Sequence, residues 1–284
     1  LKNAELAGAM CYEALRGTTK ALDPRIHANK HHEEQGSSAD NLRRMLAGSN
    51  ICENHVNDKV QDAYVMRCMP HIHGAAKKLV KEAYEVIVDE MHSVSDNPEI
   101  FAEGENDGVA LMSGNFDGSF VGAHADMISM ACAIIGKVVE RGTDRMVNRN
   151  LNDGLPAFLV SNPGLNSGFM IPQYTAAGLM NEIKHLAIPA TIDSIPTCAG
   201  QEDPVSMAYY ASKKAQACVR KLQYVTAIEI YTALQATDFL KPETPSPAIA
   251  KVRDFLRQTI PFVDNDRFLY PDIEYVFDRV RDCT

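Results

Sequence analysis

Three long stretches of the sequence follow the 3.6-residue period of an α-helix with few interruptions. They cover residues 119–148, 168–187 and 204–236, and Pro172 is the one break in the second. Helices of about 20–30 residues are roughly twice as long as the average helix of a globular protein. Because helices of this length rarely bury their apolar faces within one small domain, we expect a multi-helix bundle that belongs to a larger, mainly helical oligomer.

The remaining sequence predicts shorter elements around these helices. Residues 49–70 are polar and predict an irregular segment, whereas residues 99–116 predict a short β-hairpin that turns at 103–108. The predicted fold class is therefore all-α, a long-helix bundle with one hairpin. We expect residues 1–240 to form the bundle and 241–284 a C-terminal helical tail. Shorter helices are predicted at 6–15, 40–46 (capped within residues 37–40), 74–91, 248–259 and 271–281.

Charge and composition exclude several classes of partner. The net charge of −9 argues against nucleic acid and anionic membranes, which require clustered lysine and arginine. Seven scattered cysteines without CxxC spacing indicate a reduced, cytoplasmic protein, and no leader sequence opens the chain. The first residues resemble the middle of a helix, and we therefore expect the chain to begin inside a longer protein.

A polar segment before residue 74 carries the first candidate site. Arg67 can bind a carboxylate through two parallel N–H···O bonds, which fixes the orientation of a ligand as well as its charge. Tyr64 can act as a general acid or base, and Gln61 can hold an amine or a carboxylate. The spacing of these three residues is not specific, because an ordinary polar loop with a structural arginine has the same pattern.

Three further candidates precede or open long helices. Phe116 lies among glycines and Asn115, in a loop where backbone can approach a ligand, although a strand-to-helix turn with a core phenylalanine is the plainer alternative. Met170 follows Ser167 and Gly168. Glu202 precedes Asp203-Pro204, which is a normal helix start with Asp203 as N-cap.

The histidines do not form a recognisable metal signature. His71 and His73, and the run at 31–34, lack both the i, i+4 pairing on a helix and the cysteine partners of zinc sites. We predict no metal site. Neither a phosphate-binding glycine loop nor a nucleophile elbow is present in the sequence.

Several segments taken together resemble the ammonia-lyases and aminomutases that use the electrophile 4-methylideneimidazole-5-one (MIO). The order and spacing of the segments are specific, whereas each one alone is not. The resemblance runs from about residue 5 to about residue 240, and it is closest to the histidine-specific branch. The segments are residues 23–27, 61–67, 95–98, 113–116, 155–159, 166–170 and 201–207.

The resemblance implies a role for each candidate residue. Gln61 and Arg67 would bind the amino and carboxylate groups of the substrate. Tyr64 would sit near MIO and handle protons, and Phe116 would pack against MIO and the substrate ring. Met170 and Glu202 would line the pocket at the aromatic end, where the carboxylate of Glu202 suits an imidazole N–H.

The resemblance also implies a homotetramer with shared active sites, and elimination of ammonia from histidine to give urocanate. A tyrosine or phenylalanine lyase or 2,3-aminomutase remains an alternative, as does an assembly protein without activity. In the family, MIO forms from an Ala-Ser-Gly tripeptide, and this chain contains none. We therefore expect the chain to be the C-terminal part of such an enzyme and to be inactive without an N-terminal, MIO-bearing region.

Overall fold

A computed structural model describes residues 1–104 and 107–284. Helices dominate it, and the one sheet among these residues is a two-stranded antiparallel hairpin. The all-α prediction is confirmed. The elements are α1 (Lys2–Ala14), α2 (Pro24–Ala28), α3 (Glu33–Leu46), α4 (Asn50–His55), α5 (Tyr64–Arg67), α6 (Met69–Met91), β1 (Glu99–Glu103), β2 (Asp107–Leu111), α7 (Ser119–Val147), α8 (Met170–Leu186), α9 (Ala208–Asp238), α10 (Pro247–Arg257) and α11 (Tyr270–Asp282).

Helix α7 is the centre of the bundle, and glycines set its distance from its neighbours. Gly122 faces Ala208 at the start of α9, whereas Gly136 lies 14 residues further along and faces Leu222 of α9, so α7 and α9 run parallel. Gly136 also faces Met180 of α8, and a methyl group added there would come within 2.6 Å of the Met180 sulfur. Small residues at these positions let long helices approach closely.

Helix α8 runs antiparallel to α7. Its first turn is beside the C-terminal half of α7, where Gln173 Nε2 donates to Glu140 Oε1 at 3.4 Å. The segment after α8 reaches the N-terminal part of α7, where the backbone N–H of Ala190 donates to Asp126 at 2.8 Å. The bundle therefore has two distinct ends, marked by the first and last turns of α7.

Helix α1 adds most of its surface to the core at the C-terminal end of α7. Met10, Cys11 and Tyr12 are completely buried there, in the same apolar cluster as Met146 and Tyr231. The long helices are predicted correctly to within a few residues because their apolar faces have no competing pattern. Helix α7 is long enough, and over an 18-residue stretch apolar enough, to span a membrane, but it packs against α6, α8 and α9 as a core helix does.

Three predictions about helix boundaries are wrong. Residues 49–70 contain α4, α5 and the start of α6; the Ser49 side chain caps α4 by accepting from the Cys52 N–H at 3.2 Å. Helix α3 begins at Glu33, so the predicted cap at 37–40 lies inside it. Helix α9 begins at Ala208, because the backbone of Glu202 pairs with Thr197 and keeps Asp203 outside the helix.

The hairpin at 99–111 agrees with the prediction, with Phe101 opposite Val109. Its predicted turn includes Glu105 and Asn106, which lie outside the described residues.

Candidate active site

The six predicted site residues lie at opposite ends of the bundle. Gln61, Tyr64 and Arg67 lie near the C-terminal end of α7: Met66 packs beside Gly17 and Tyr12 at the end of α1, and Cys11 of α1 faces Gly142 of α7. Met170 opens α8 beside the same end.

Phe116 and Glu202 lie at the other end. Gly118, two residues after Phe116, faces Ala208 and Ser206 in the segment that leads from Glu202 into α9. From Gly118 to Gly142 the helix rises roughly 35 Å at 1.5 Å per residue. One copy of the chain therefore does not bring the six residues together.

Arg67 and Tyr64 form a pair with free polar groups. The guanidinium carbon of Arg67 stands 4.6 Å from the centre of the Tyr64 ring, which is 68% exposed. Arg67 is half-buried, its Nε is buried without a hydrogen-bond partner, and no carboxylate within residues 1–104 and 107–284 pairs with it. A desolvated guanidinium costs free energy unless an anion compensates it, so this geometry suits a ligand carboxylate.

A buried aspartate fixes the segment that carries this pair. Asp62, next to Gln61, accepts from the Thr18 N–H at 2.6 Å, and its Oδ1 lies 3.6 Å from Lys59 Nζ. Burial raises the pKa of Asp62, while the Thr18 N–H and Lys59 act in the opposite direction. Gln61 and Tyr64, which flank Asp62 in the sequence, are both exposed on the surface of the bundle.

Close packing and a backbone hydrogen bond constrain the loop before Met170. Gly168 has a φ of +53°, and a methyl group there would overlap the carbonyl oxygen of Phe158. The Phe169 N–H donates to that oxygen at 2.9 Å, and the Phe169 ring packs edge-on against Tyr231 with centroids 4.7 Å apart. Met170 is half-buried directly after this anchor.

Glu202 lies in an exposed segment between α8 and α9. Its carboxylate accepts from the Thr197 hydroxyl at 2.5 Å. Phe116, 59% exposed, is available to a neighbouring molecule at the same end of the bundle. The N-cap role predicted for Asp203 is not seen, because α9 begins at Ala208 with Met207 as its N-cap residue.

A buried ion pair that the sequence pattern does not predict anchors this segment. Asp126 and Lys214 are both buried, with 3.0 Å between Asp126 Oδ1 and Lys214 Nζ. Asp126 also accepts from Ala190 and Thr191, and Lys214 donates to the Ile188 carbonyl. Burial raises the pKa of Asp126, but the hydrogen bonds from Thr191 and Lys214 outweigh it and the pKa lies below its usual value. The sequence does contain a hint of this pair, because Asp126 and Lys214 are charged residues within helices rich in small and apolar residues.

Comparison with known proteins identifies the family. The profile described as aromatic amino acid lyase matches residues 1–258. The chain belongs to this family. It is 42% identical over 276 residues to the histidine ammonia-lyase of Natranaerobius thermophilus, covering 97% of this chain and 54% of that protein. It is 43% identical over 274 residues to the histidine ammonia-lyase of Vibrio cholerae, covering 96% and 53%.

Solved structures of the family share the fold. Histidine ammonia-lyase from Trypanosoma cruzi superimposes with a TM-score of 0.90 at 36% identity, covering 99% of this chain and 52% of that one. Tyrosine aminomutase from Streptomyces globisporus gives a TM-score of 0.92 at 29% identity, covering 99% and 57%. This lyase-family chain spans about half the length of the curated relatives it matches, as the sequence resemblance predicted.

The chain fits a bound amino acid better than it fits the electrophile itself. The Arg67 guanidinium and the Tyr64 hydroxyl form no hydrogen bond or ion pair with a described residue, which suits the binding of a carboxylate and a proton transfer. Ser113-Gly114 and Ser167-Gly168 follow Met112 and Asn166, so neither provides the Ala-Ser-Gly tripeptide. Tyr64 and Phe116, which are both expected to lie near MIO, are also far apart within one copy.

Proposed function

We propose that this chain supplies the substrate clamp and the ring pocket of a cytoplasmic, MIO-dependent histidine ammonia-lyase. The observation that carries the proposal is the half-buried guanidinium of Arg67, stacked on Tyr64 and without a carboxylate partner among the described residues. The relatives named histidine ammonia-lyase support the choice of reaction class. The product would be urocanate, with release of ammonia.

In this proposal the site is assembled from several copies. A symmetric pair with antiparallel α7 helices would bring Phe116 and Glu202 of one copy to Arg67 and Met170 of another. Exposed apolar side chains in the loop before α8, along α8 and in the segment after it support such contacts, since patches of this kind mark interfaces. They are Leu165, Ile171, Tyr174, Ile188, Ile192 and Ile195. The resemblance makes a homotetramer the expected assembly.

Each residue then has a physical task. Arg67 and Gln61 hold the carboxylate and the amino group, which converts a bimolecular encounter into an oriented one. Tyr64 holds or moves a proton beside the reacting carbons. Glu202 accepts the imidazole N–H, and Met170 and Phe116 exclude water around the ring. MIO, from an N-terminal region of a longer chain, would make the amino group a better leaving group.

A second candidate is a tyrosine lyase or aminomutase, favoured by the close superposition on tyrosine aminomutase. A phenylalanine-specific enzyme belongs to the same alternative. The carboxylate of Glu202 favours histidine over phenylalanine, because it can accept a hydrogen bond from the imidazole N–H and has no such partner on a phenyl ring.

Urocanate absorbance tests the proposal. The 284-residue chain alone should produce none, whereas the full-length protein that contains it should convert histidine in preference to tyrosine and phenylalanine. Glu202→Gln in the full-length protein should reduce histidine turnover about ten- to a hundred-fold, because a charged partner of a buried hydrogen bond is lost. Glu53→Gln, at another exposed glutamate, is the control. A preference for tyrosine or phenylalanine would support the second candidate instead. If the full-length protein turns over none of the three amino acids, the remaining explanation is an assembly protein without activity.

A further inference from the structure

The segment between α10 and α11 binds the loop in front of α8. The carboxylate of Asp266 accepts from the backbone N–H groups of Ser167 and Gly168, each at 2.7 Å. In return, the Asp266 N–H donates to the Asn166 side chain at 3.1 Å. Asp264 accepts from the Ser161 hydroxyl at 2.6 Å. These bonds join two segments about 100 residues apart in the sequence.

The segment that carries Asp266 is itself fixed to the core. Gln235 of α9 is completely buried, and its amide donates to the carbonyls of Leu159 and Val263 at 3.0 and 2.8 Å. The Val263 N–H donates back to the Gln235 side chain at 3.1 Å. Asp266 therefore extends from a rigid base, three residues beyond a buried anchor.

The two backbone N–H groups that donate to Asp266 belong to Ser167 and Gly168, directly before Phe169 and Met170. Phe169 is held by Tyr231 and by the Phe158 carbonyl, which leaves the path from Gly168 to Met170 little freedom. A carboxylate that accepts two N–H groups forms stronger hydrogen bonds than a neutral acceptor. An asparagine there would present one oxygen and one NH₂ group, so one of the two amides would face a donor.

We propose that Asp266 is a positioning residue that sets the location of Met170 and thereby the selectivity of the site for the substrate ring. The inference rests on the proposed function, in which Met170 lines the ring pocket. Asp266 lies beyond residues 1–258, the part of the chain that matches the family profile. Selectivity in this protein thus depends on a segment of the C-terminal tail that lies outside the region matched by the family profile.

The first test measures the backbone anchor and does not need activity. Amide hydrogen exchange is followed at Ser167 and Gly168 in the full-length protein, in wild type, Asp266→Asn and Asp278→Asn. Asp278→Asn is the control, because it removes a carboxylate from the same tail, but this carboxylate pairs with Arg281. We expect exchange at both amides to become at least about ten-fold faster in Asp266→Asn alone. Unchanged exchange overturns the anchor.

The second test measures selectivity. In Asp266→Asn, the ratio of kcat/KM for histidine to kcat/KM for tyrosine should fall by about ten-fold, with a raised KM for histidine, because a displaced pocket wall discriminates less well. A purely structural role would lower kcat for both substrates together and leave the ratio unchanged, which overturns the positioning role. If wild type turns over neither substrate, the proposed function fails and the selectivity claim with it. The exchange measurement still decides the anchor.

Discussion

At the scale of single residues, the candidate site includes a cation that has no carboxylate partner in the described part of the chain. Arg67 is half-buried beside Tyr64 and no described carboxylate neutralises it, whereas most other arginines of the described chain form ion pairs. An unpaired and partly desolvated cation lowers the stability of the folded chain. A ligand carboxylate that binds Arg67 would supply the missing anion and offset this loss of stability.

Arg67→Lys tests this explanation in the full-length enzyme. The lysine keeps the charge but cannot form two parallel hydrogen bonds with a carboxylate, so KM should rise. The fall in kcat/KM should correspond to a loss of about 2 kcal/mol or more in transition-state binding. Steady-state kinetics measures both constants. Arg25→Lys is the matched control, because Arg25 is largely exposed and pairs with Asp23. Wild-type kinetics in Arg67→Lys would remove this residue from the site.

A second unusual residue lies in the core. Glu229 of α9 is buried against Gly142 and the thiol of Cys11, and burial raises its pKa well above the usual value of 4.5. In the folded chain it therefore stays protonated at a pH where the unfolded chain has released the proton. Above pH 4.5, the free energy of unfolding should fall as pH rises, until the folded carboxyl also ionises.

Glu229→Gln should remove this pH dependence. The amide has nearly the same shape and no ionisation, so between pH 5 and 8 the variant should lose less stability with rising pH, by up to about 1.4 kcal/mol per pH unit. Urea unfolding at several pH values gives the two slopes. Glu85→Gln, on the exposed face of α6, should retain the wild-type slope. Equal slopes in Glu229→Gln and wild type would mean that Glu229 is ionised in the core.

The sequence identifies residue types better than it identifies their surroundings. Gln61, Tyr64 and Arg67 are close in sequence, so local pattern and family resemblance suffice to group them. Phe116 and Glu202 belong to the other end of α7, and no local pattern reports a separation produced by a 29-residue helix. The pairs Asp126–Lys214 and Asp266–Ser167 join distant segments, which the pattern of one sequence does not reveal.

At the scale of elements, periodicity predicts long helices well and short ones poorly. The three bundle helices have apolar faces long enough to establish the period, whereas α4 and α5 contain six and four residues. Such short helices depend on a cap or on packing, as with Ser49 and Met66. The start of α9 was misplaced because Asp203-Pro204 carries normal start signals, while backbone pairing of Glu202 with Thr197 overrides them.

The ion pair between Asp126 and Lys214 should hold the segment between α8 and α9. Lys214→Met leaves the buried Asp126 carboxylate without its cation and frees the Ile188 carbonyl, so stability should fall by about 3 kcal/mol. The midpoint of urea unfolding measures the loss. Lys213→Met, at the exposed neighbouring position, should change stability by less than about 0.5 kcal/mol. A small loss in both variants would show that the hydrogen bonds from Thr191 are sufficient.

At the scale of the whole molecule, the exposed apolar side chains along α8 and the segment after it should be covered by other copies. Ile192 is 81% exposed, which is unusual for isoleucine, and Ile188 and Tyr174 extend the same surface. Light scattering at micromolar concentration should report an oligomer, expected to be a tetramer. Ile192→Asp should shift the population towards smaller species, because it places a charge in the interface.

Ile26→Asp is the control for this measurement. Ile26 is exposed on α2, among polar neighbours and away from α8, so the charge should leave the assembly unchanged. A well-folded wild-type monomer, or equal behaviour of the two variants, would contradict the assignment of this surface to an interface.

The separation of the predicted site along α7 has a genetic consequence. If each site takes Arg67 from one copy and Glu202 from another, a chain damaged at Arg67 and a chain damaged at Glu202 compensate each other when they are produced together. Random mixing in equal amounts leaves about a quarter of the sites with both residues intact. Two inactive alleles would then complement within one gene, whereas two alleles that damage Arg67 and Tyr64 at the same end would not.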